Sequence, residues 1–185
     1  MRKVLFIGIL LYCCNISYAQ STMFKPFKVD LNLGFAAPQG SGTKGGVIFS
    51  LEPKYGVTNQ IDIGLRLAIA GTARGVSDGN GGFTSATVKA NASYLLTGDY
   101  FFTNTSARPF VGAGLGAFTF ASATGDNNTS TVIPAATKFG ELIRGGVEVG
   151  HLRLGIEYDF VPDQNGFFGA TIGVKIGGGR IKNKM

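Results

Sequence analysis

The chain has 185 residues, 29 of them glycine and 15 phenylalanine, with no tryptophan and a formal charge of +6. Hydrophobic residues make up 44% and charged residues 15%, which excludes a chain that is disordered throughout. Glycine without a three-residue period excludes collagen, and no apolar run after residue 20 approaches the ~18 residues of a membrane helix. A hydrophobic chain without such a run spreads its apolar residues by alternation.

Residues 1–19 read as a secretory signal peptide: Met1-Arg2-Lys3, an apolar run from Val4 to Cys13, then Ser17-Tyr18-Ala19 at the cleavage site. The apolar run is too short to span well as a retained anchor. Lipid attachment at Cys13 or Cys14 is disfavoured by the preceding Tyr12 or Cys13, where a small residue is usual. Cleavage after Ala19 removes both cysteines. The exported chain then holds no disulfide, thiol nucleophile or thiolate metal site. Loss of Arg2 and Lys3 takes the charge from +6 to +4.

Eight strands are predicted after the signal, over 27–36, 46–55, 61–70, 85–102, 108–120, 138–149, 152–161 and 167–177. The first carries Val29, Leu31, Leu33 and Phe35 on one side, and the second Val47, Phe49, Leu51 and Tyr55. In the third, Ile61, Ile63, Leu65, Leu67 and Ile69 alternate with Asp62, Gly64, Arg66 and Ala68. Period two is the signature of a strand and not of a helix. The fourth sets Val88, Ala90, Ala92, Tyr94 and Leu96 on one face. The fifth is ambiguous: Val111, Ala113, Leu115 and Ala117 facing out against Gly112, Gly114 and Gly116 would turn Phe110, Phe118 and Phe120 inward. A bulge would resolve that conflict. The sixth carries Val147 and Val149. In the seventh, Leu152, Leu154, Ile156, Tyr158 and Phe160 alternate without a break, and the eighth carries Phe168, Ala170, Ile172, Val174 and Ile176.

Connections alternate in length. Segments 37–45, 71–84 and 121–137 are long and rich in Gly, Ser, Thr and Asn, whereas 56–60, 103–107 and 150–151 are short. Short turns on one side and long loops on the other mark a transmembrane β-barrel, although the last connection, Pro162 to Gly166, is shorter than that pattern asks.

A soluble sandwich and a membrane barrel share this alternation but invert its faces. The polar face carries seven acids, Asp30, Glu52, Asp62, Asp99, Glu148, Glu157 and Asp159, and seven bases, Lys28, Lys54, Arg66, Lys89, Arg144, Arg153 and Lys175. Equal numbers suit a closed lumen, since an unpaired buried charge costs about 3–5 kcal/mol. These residues are therefore expected to form an ion-pair network inside the barrel. Phe27, Tyr55, Tyr100, Phe102 and Phe110 near the short turns, and Phe35, Phe118, Phe120, Tyr158, Phe160 and Phe168 towards the loops, read as interfacial girdles. Lys25, Arg180, Lys182 and Lys184 lie outside the strands, so the basic balance belongs to the ends of the chain, and no basic groove with interleaved aromatics points to nucleic acid.

Glu52-Pro53-Lys54-Tyr55-Gly56-Val57, Ile61-Asp62-Ile63-Gly64-Leu65-Arg66 and Arg108-Pro109-Phe110-Val111-Gly112-Ala113-Gly114-Leu115-Gly116 carry a resemblance. The chain resembles the outer-membrane β-barrel domain superfamily, the small eight-stranded proteins typified by OmpX and the OmpA membrane domain. The likeness spans nearly all of the chain after the signal, on loose motifs. It implies an antiparallel up-and-down transmembrane barrel over 20–179, followed by a basic tail over 180–185. It further implies export through the Sec pathway, residence in the outer membrane, contact with its lipids and lipopolysaccharide, and delivery by the barrel-assembly machinery. A monomer is expected. One departure is the end Gly177-Gly178-Gly179-Arg180-Ile181-Lys182-Asn183-Lys184-Met185, where such barrels commonly finish on an aromatic residue.

The sole histidine, His151, falls in the tight turn between strands six and seven, where lipid-modifying chemistry at the opposite rim is out of reach. It lacks the partners a histidine-ligated metal needs. Gly112, Gly114 and Gly116 lack the following helix of a dinucleotide site and are expected to make room for long lumen side chains. Asp78-Gly79-Asn80-Gly81 and Gly125-Asp126-Asn127-Asn128 lack calcium-loop spacing. Glu157 and Asp159 share a face, as a catalytic carboxylate pair would, but Arg144, Arg153 and Lys175 on that face favour ion pairing. The expectation is a non-enzymatic barrel without cofactor or metal, with envelope integrity or adhesion as its class of role. The alternative is a transport barrel of the OmpW-like kind, passing small or hydrophobic solutes.

Overall fold

The computed structural model describes residues 23–39, 43–77, 83–120, 136–162 and 166–181, with side chains described in the strands except at 43–44, 72–77 and 83–90. The predicted signal peptide and residues 182–185 of the predicted tail lie outside the described residues, as do both glycine- and asparagine-rich loop motifs apart from their flanks.

Eight antiparallel strands form a closed barrel in sequence order: β1 (Phe27–Pro38), β2 (Thr43–Gly56), β3 (Ile61–Ser77), β4 (Phe83–Phe101), β5 (Ala107–Phe120), β6 (Ala136–Val149), β7 (Leu152–Phe160) and β8 (Phe167–Gly177). Closure comes from β1 pairing with β8, from Lys28 opposite Gly177 to Pro38 opposite Phe167. A closed sheet leaves no unpaired edge, which is what a strand in hydrocarbon requires. The turn end holds the short β2–β3, β4–β5 and β6–β7 connections, and the loop end holds the others. Gly150, with φ of 60°, makes the tightest of these turns.

Several strands run further towards the loop end than alternation alone predicts. β3 and β4 stay paired as far as Ser77 and Phe83, through one register shift, while β5 joins β4 only from Asn91 onward. The β3–β4 hairpin thus rises above the β4–β5 seam. Small residues, chiefly Gly, Ala, Ser and Thr, dominate there, so pairing continues where no strong apolar period marks it.

The outer face is apolar. Leu33, Phe49, Leu65, Tyr94, Leu96, Leu115, Ile143, Ile156, Ile172 and Val174 are exposed to the surroundings, each about half or more accessible. Among the strand residues with described side chains, Glu141 near the loop end is the one charged group on that face. Phe27, Tyr55, Tyr100 and Phe102 ring the turn end, and Phe35, Phe139, Phe160 and Phe168 the loop end. Such belts sit at membrane–water interfaces.

β5 resolves its ambiguity without a bulge: its register is unbroken against both β4 and β6. Phe110 and Phe118 therefore point inward and are buried, and Phe120 packs against the interior. These three leave the girdles in which the alternation placed them. Gly116 shares the inward face, and a Cβ there would overlap the carbonyl oxygen of Tyr94. We expect Gly116→Ala to cost about 1–3 kcal/mol, the usual range for overpacking, in urea unfolding in detergent followed by circular dichroism. Gly71, whose Cβ would meet nothing within 4 Å, is the control, and Gly71→Ala is expected to stay within about 0.5 kcal/mol of the parent.

Candidate functional site: the charged lumen

The inward positions of all eight strands bring charged groups together where water is scarce. Asp99 of β4 lies at the centre. Lys54 Nζ from β2 donates to its Oδ2 at 2.7 Å, Arg153 from β7 to the same oxygen at 2.8 Å, and Arg144 Nε from β6 to Oδ1 at 2.8 Å. The remaining arms of Arg144 grip Glu52 bidentately, both at 2.7 Å. Thr97 donates a further hydrogen bond to Glu52, and Lys54 also reaches Asp30 at 2.6 Å. Fork geometry of this kind is the strongest pairing available to arginine.

Gly112 makes the centre possible. A Cβ there would overlap Asp99 Oδ1 and come within 3.1 Å of Arg144 Nε. Gly64 does the same for Lys54 and Glu52, whose atoms lie 2.8 and 3.1 Å from its ideal Cβ. The glycines opposite are the space into which the long side chains fold.

Towards the turn end, Lys28 pairs with Asp62, and Glu148 is shared by Lys175, by Arg108 at 3.5 Å and by Arg153 at 3.6 Å. Inward phenylalanines serve these cations. The Arg153 guanidinium lies 3.7 Å from the Phe110 ring centre, and that of Arg108 lies between Phe101 at 3.9 Å and Phe24 at 4.3 Å. Cation–π attraction is strongest where both groups are desolvated. Towards the loop end, Arg66 bonds Glu157 at 2.6 Å and lies 3.9 Å from Asp159. Both oxygens of Asp159 are buried without a hydrogen-bond partner. Above them Ala36, Ile48, Ala70, Leu95, Phe118, Leu142, Val161 and Phe167 pack into an apolar tier across the bore.

Of the positions expected to form the network, Asp30, Glu52, Lys54, Asp62, Arg66, Asp99, Arg144, Glu148, Arg153, Glu157, Asp159 and Lys175 all lie inside and enter the ion pairs above. Lys89 falls among the residues whose side chains are not described. Arg108 was missed by the alternation, because it shares the unresolved parity of β5. The apolar tier was missed too, since Ile48, Leu95 and Leu142 occupy the face that is polar elsewhere. His151 sits in the β6–β7 turn, with Nδ1 2.8 Å from the carbonyl oxygen of Lys175; a carbonyl only accepts, so Nδ1 carries the proton. Among the described residues no group of three or more His, Asp or Glu is placed to hold a metal ion.

The solved structure of Neisserial surface protein A (NspA) superposes with a TM-score of 0.63 at 19% identity, over 83% of this chain and 98% of that one. This is the fold of the small eight-stranded outer-membrane β-barrels. The outer membrane protein OprG from Pseudomonas aeruginosa gives 0.52 at 13% identity, over 84% of this chain and 98% of that one. The N-terminal β-barrel domain of Pseudomonas aeruginosa OprF gives 0.51 at 12% identity, over 83% and 99%. No family model matches the sequence, and no curated protein matches it.

The two carboxylates Asp99 and Asp159 are expected to respond oppositely to substitution. Asp99→Ala removes the carboxylate that three buried cations share, leaving three bases to two acids in the central tier, and should cost about 3–5 kcal/mol in the same urea titration. Asp159→Asn loses no hydrogen bond and relieves a desolvated charge, so stability should be unchanged or raised. Equal losses in both would contradict the geometry.

Proposed function

We propose that the protein is a non-enzymatic integral outer-membrane protein, with the barrel as anchor and the loops as its contact surface. The observation that carries this reading is the closed lumen. Paired charges fill its middle and an apolar tier crosses its loop end. An eight-stranded barrel has a bore just wide enough for side chains or one small ligand, and here side chains occupy it. The anchor face is the apolar belt between the two aromatic rings. Export through the Sec pathway, insertion by the barrel-assembly machinery, and lipids and lipopolysaccharide as surroundings follow from the same reading, with a monomer as the working unit. Envelope integrity or adhesion is the class of role that suits a sealed barrel with polar loops.

Two measurements test it. In planar bilayers the purified protein is expected to give no steady single-channel conductance at high load; a reproducible open level would favour transport instead. An epitope inserted within 121–135 is expected to bind antibody on intact cells, whereas one at Asn104 should need permeabilised cells. The reverse pattern would invert the barrel and remove the loops as the contact surface.

A further inference from the structure

Both ends of the described chain fold across the turn end of the barrel. The Lys25 N–H donates to Gly179 O at 3.0 Å, the Gly178 N–H to Phe27 O at 3.1 Å and the Ile181 N–H to Met23 O at 2.9 Å. Phe24 and Arg180 form an antiparallel bridge between them. These segments, with the β4–β5 and β6–β7 turns, enclose a cup of about 190 Å3.

The lining of this cup is unbalanced. Arg108, Lys175 and Arg180 contribute three basic side chains, and Glu148 is the one carboxylate among the lining residues, a formal excess of +2. Glu148 is moreover drawn on by Arg153 from the lumen side, at 3.6 Å. Asp62, the other acid towards this end among the described residues, is taken by Lys28. The central tier differs: Lys54, Arg144 and Arg153 meet Asp30, Glu52 and Asp99 one for one. Ser106 and the His151 ring add further polar groups to the wall.

We propose that this cup binds a phosphate group, either free or carried on a lipid headgroup. Guanidinium groups match phosphate oxygens bidentately, and cations converging from different walls suit a tetrahedral anion better than a planar carboxylate. The cup has room for a phosphate and not for a nucleotide or an acyl chain. Its depth fits as well. Phe27, Tyr55, Tyr100 and Phe102 ring the barrel at the same end, and such aromatics lie at headgroup level. A bound phosphate also ties the segment after β8, through Arg180, to Arg108 of β5 and Lys175 of β8.

The test uses the full exported chain, refolded in detergent and titrated with inorganic phosphate by calorimetry, with chloride as the control anion. Saturable phosphate binding is expected. Arg180→Gln should weaken it by about tenfold or more, the loss typical of one charge-assisted hydrogen bond. Ser106→Asp, which puts a carboxylate in the lining without touching the terminal bridge, should abolish it. Gel mobility with and without boiling checks that each variant is folded. Native mass spectrometry after extraction from phosphatidylglycerol vesicles separates the sources. One retained lipid, displaced by inorganic phosphate and lost in Ser106→Asp, identifies the headgroup. Saturable phosphate binding with no retained lipid identifies free phosphate. No saturable binding and no retained lipid overturns the proposal, as does binding that both variants leave unchanged.

Discussion

Three cations from three strands converge on the carboxylate of Asp99, and the rest of the lumen is arranged around that convergence. Inside a narrow barrel no bulk water screens a charge, so each group must find its partner among the opposing walls. Lys54, Arg144 and Arg153 do so from β2, β6 and β7, which ties together strands far apart in sequence. A one-residue slip of β4 would carry Asp99 to the outer face and Leu96 to the lumen. The network therefore fixes register as well as filling space. Gly112 and Gly64 are its silent members, since side chains there would occupy the volume of the ion pairs.

The lumen is graded along its axis. At the loop end it is an apolar core of ordinary kind, built from Ile48, Leu95, Phe118 and Leu142. In the middle it is an ion-pair lattice with matched charges. At the turn end it is cationic and partly aromatic, with Arg108 held between Phe101 and Phe24. Among the described residues, side chains fill the bore from one end to the other, which suits a function carried by the surfaces. On the proposed reading, the exposed belt of Leu65, Leu115, Ile156 and Ile172 meets lipid and the two ends meet water.

Most of the architecture was legible in the alternation. The inward and outward faces of β3 and β7 could be read directly, because large apolar residues fall at every second position. β5 could not, because a period-two reading has no means of knowing that inward phenylalanines are welcome. They are welcome because Phe110 faces the Arg153 guanidinium and Phe118 belongs to the apolar tier, and both facts depend on other strands. Arg108 went unnoticed for the same reason. Parity gave the inward face of each strand but not which cation meets which acid. The Lys54–Asp99 contact spans 45 residues and depends on barrel closure. Strand ends were underestimated where pairing in β3 and β4 continues through small residues such as Gly, Ala, Ser and Thr. The C-terminal departure from an aromatic finish has a local counterpart, since Gly177 and Gly178 turn the chain so that Arg180 meets Phe24.

The central claim is that the apolar face meets hydrocarbon and the charged face is enclosed. Single cysteines at Leu65, Leu115 and Ile172, in a chain lacking Cys13 and Cys14, carry nitroxide labels into lipid bilayers for this purpose. All three labels are predicted to collide with dissolved oxygen and to be shielded from a water-soluble nickel complex. Labels open to the nickel complex would place those side chains in water, make the ion-pair lattice something other than a membrane lumen, and contradict the account.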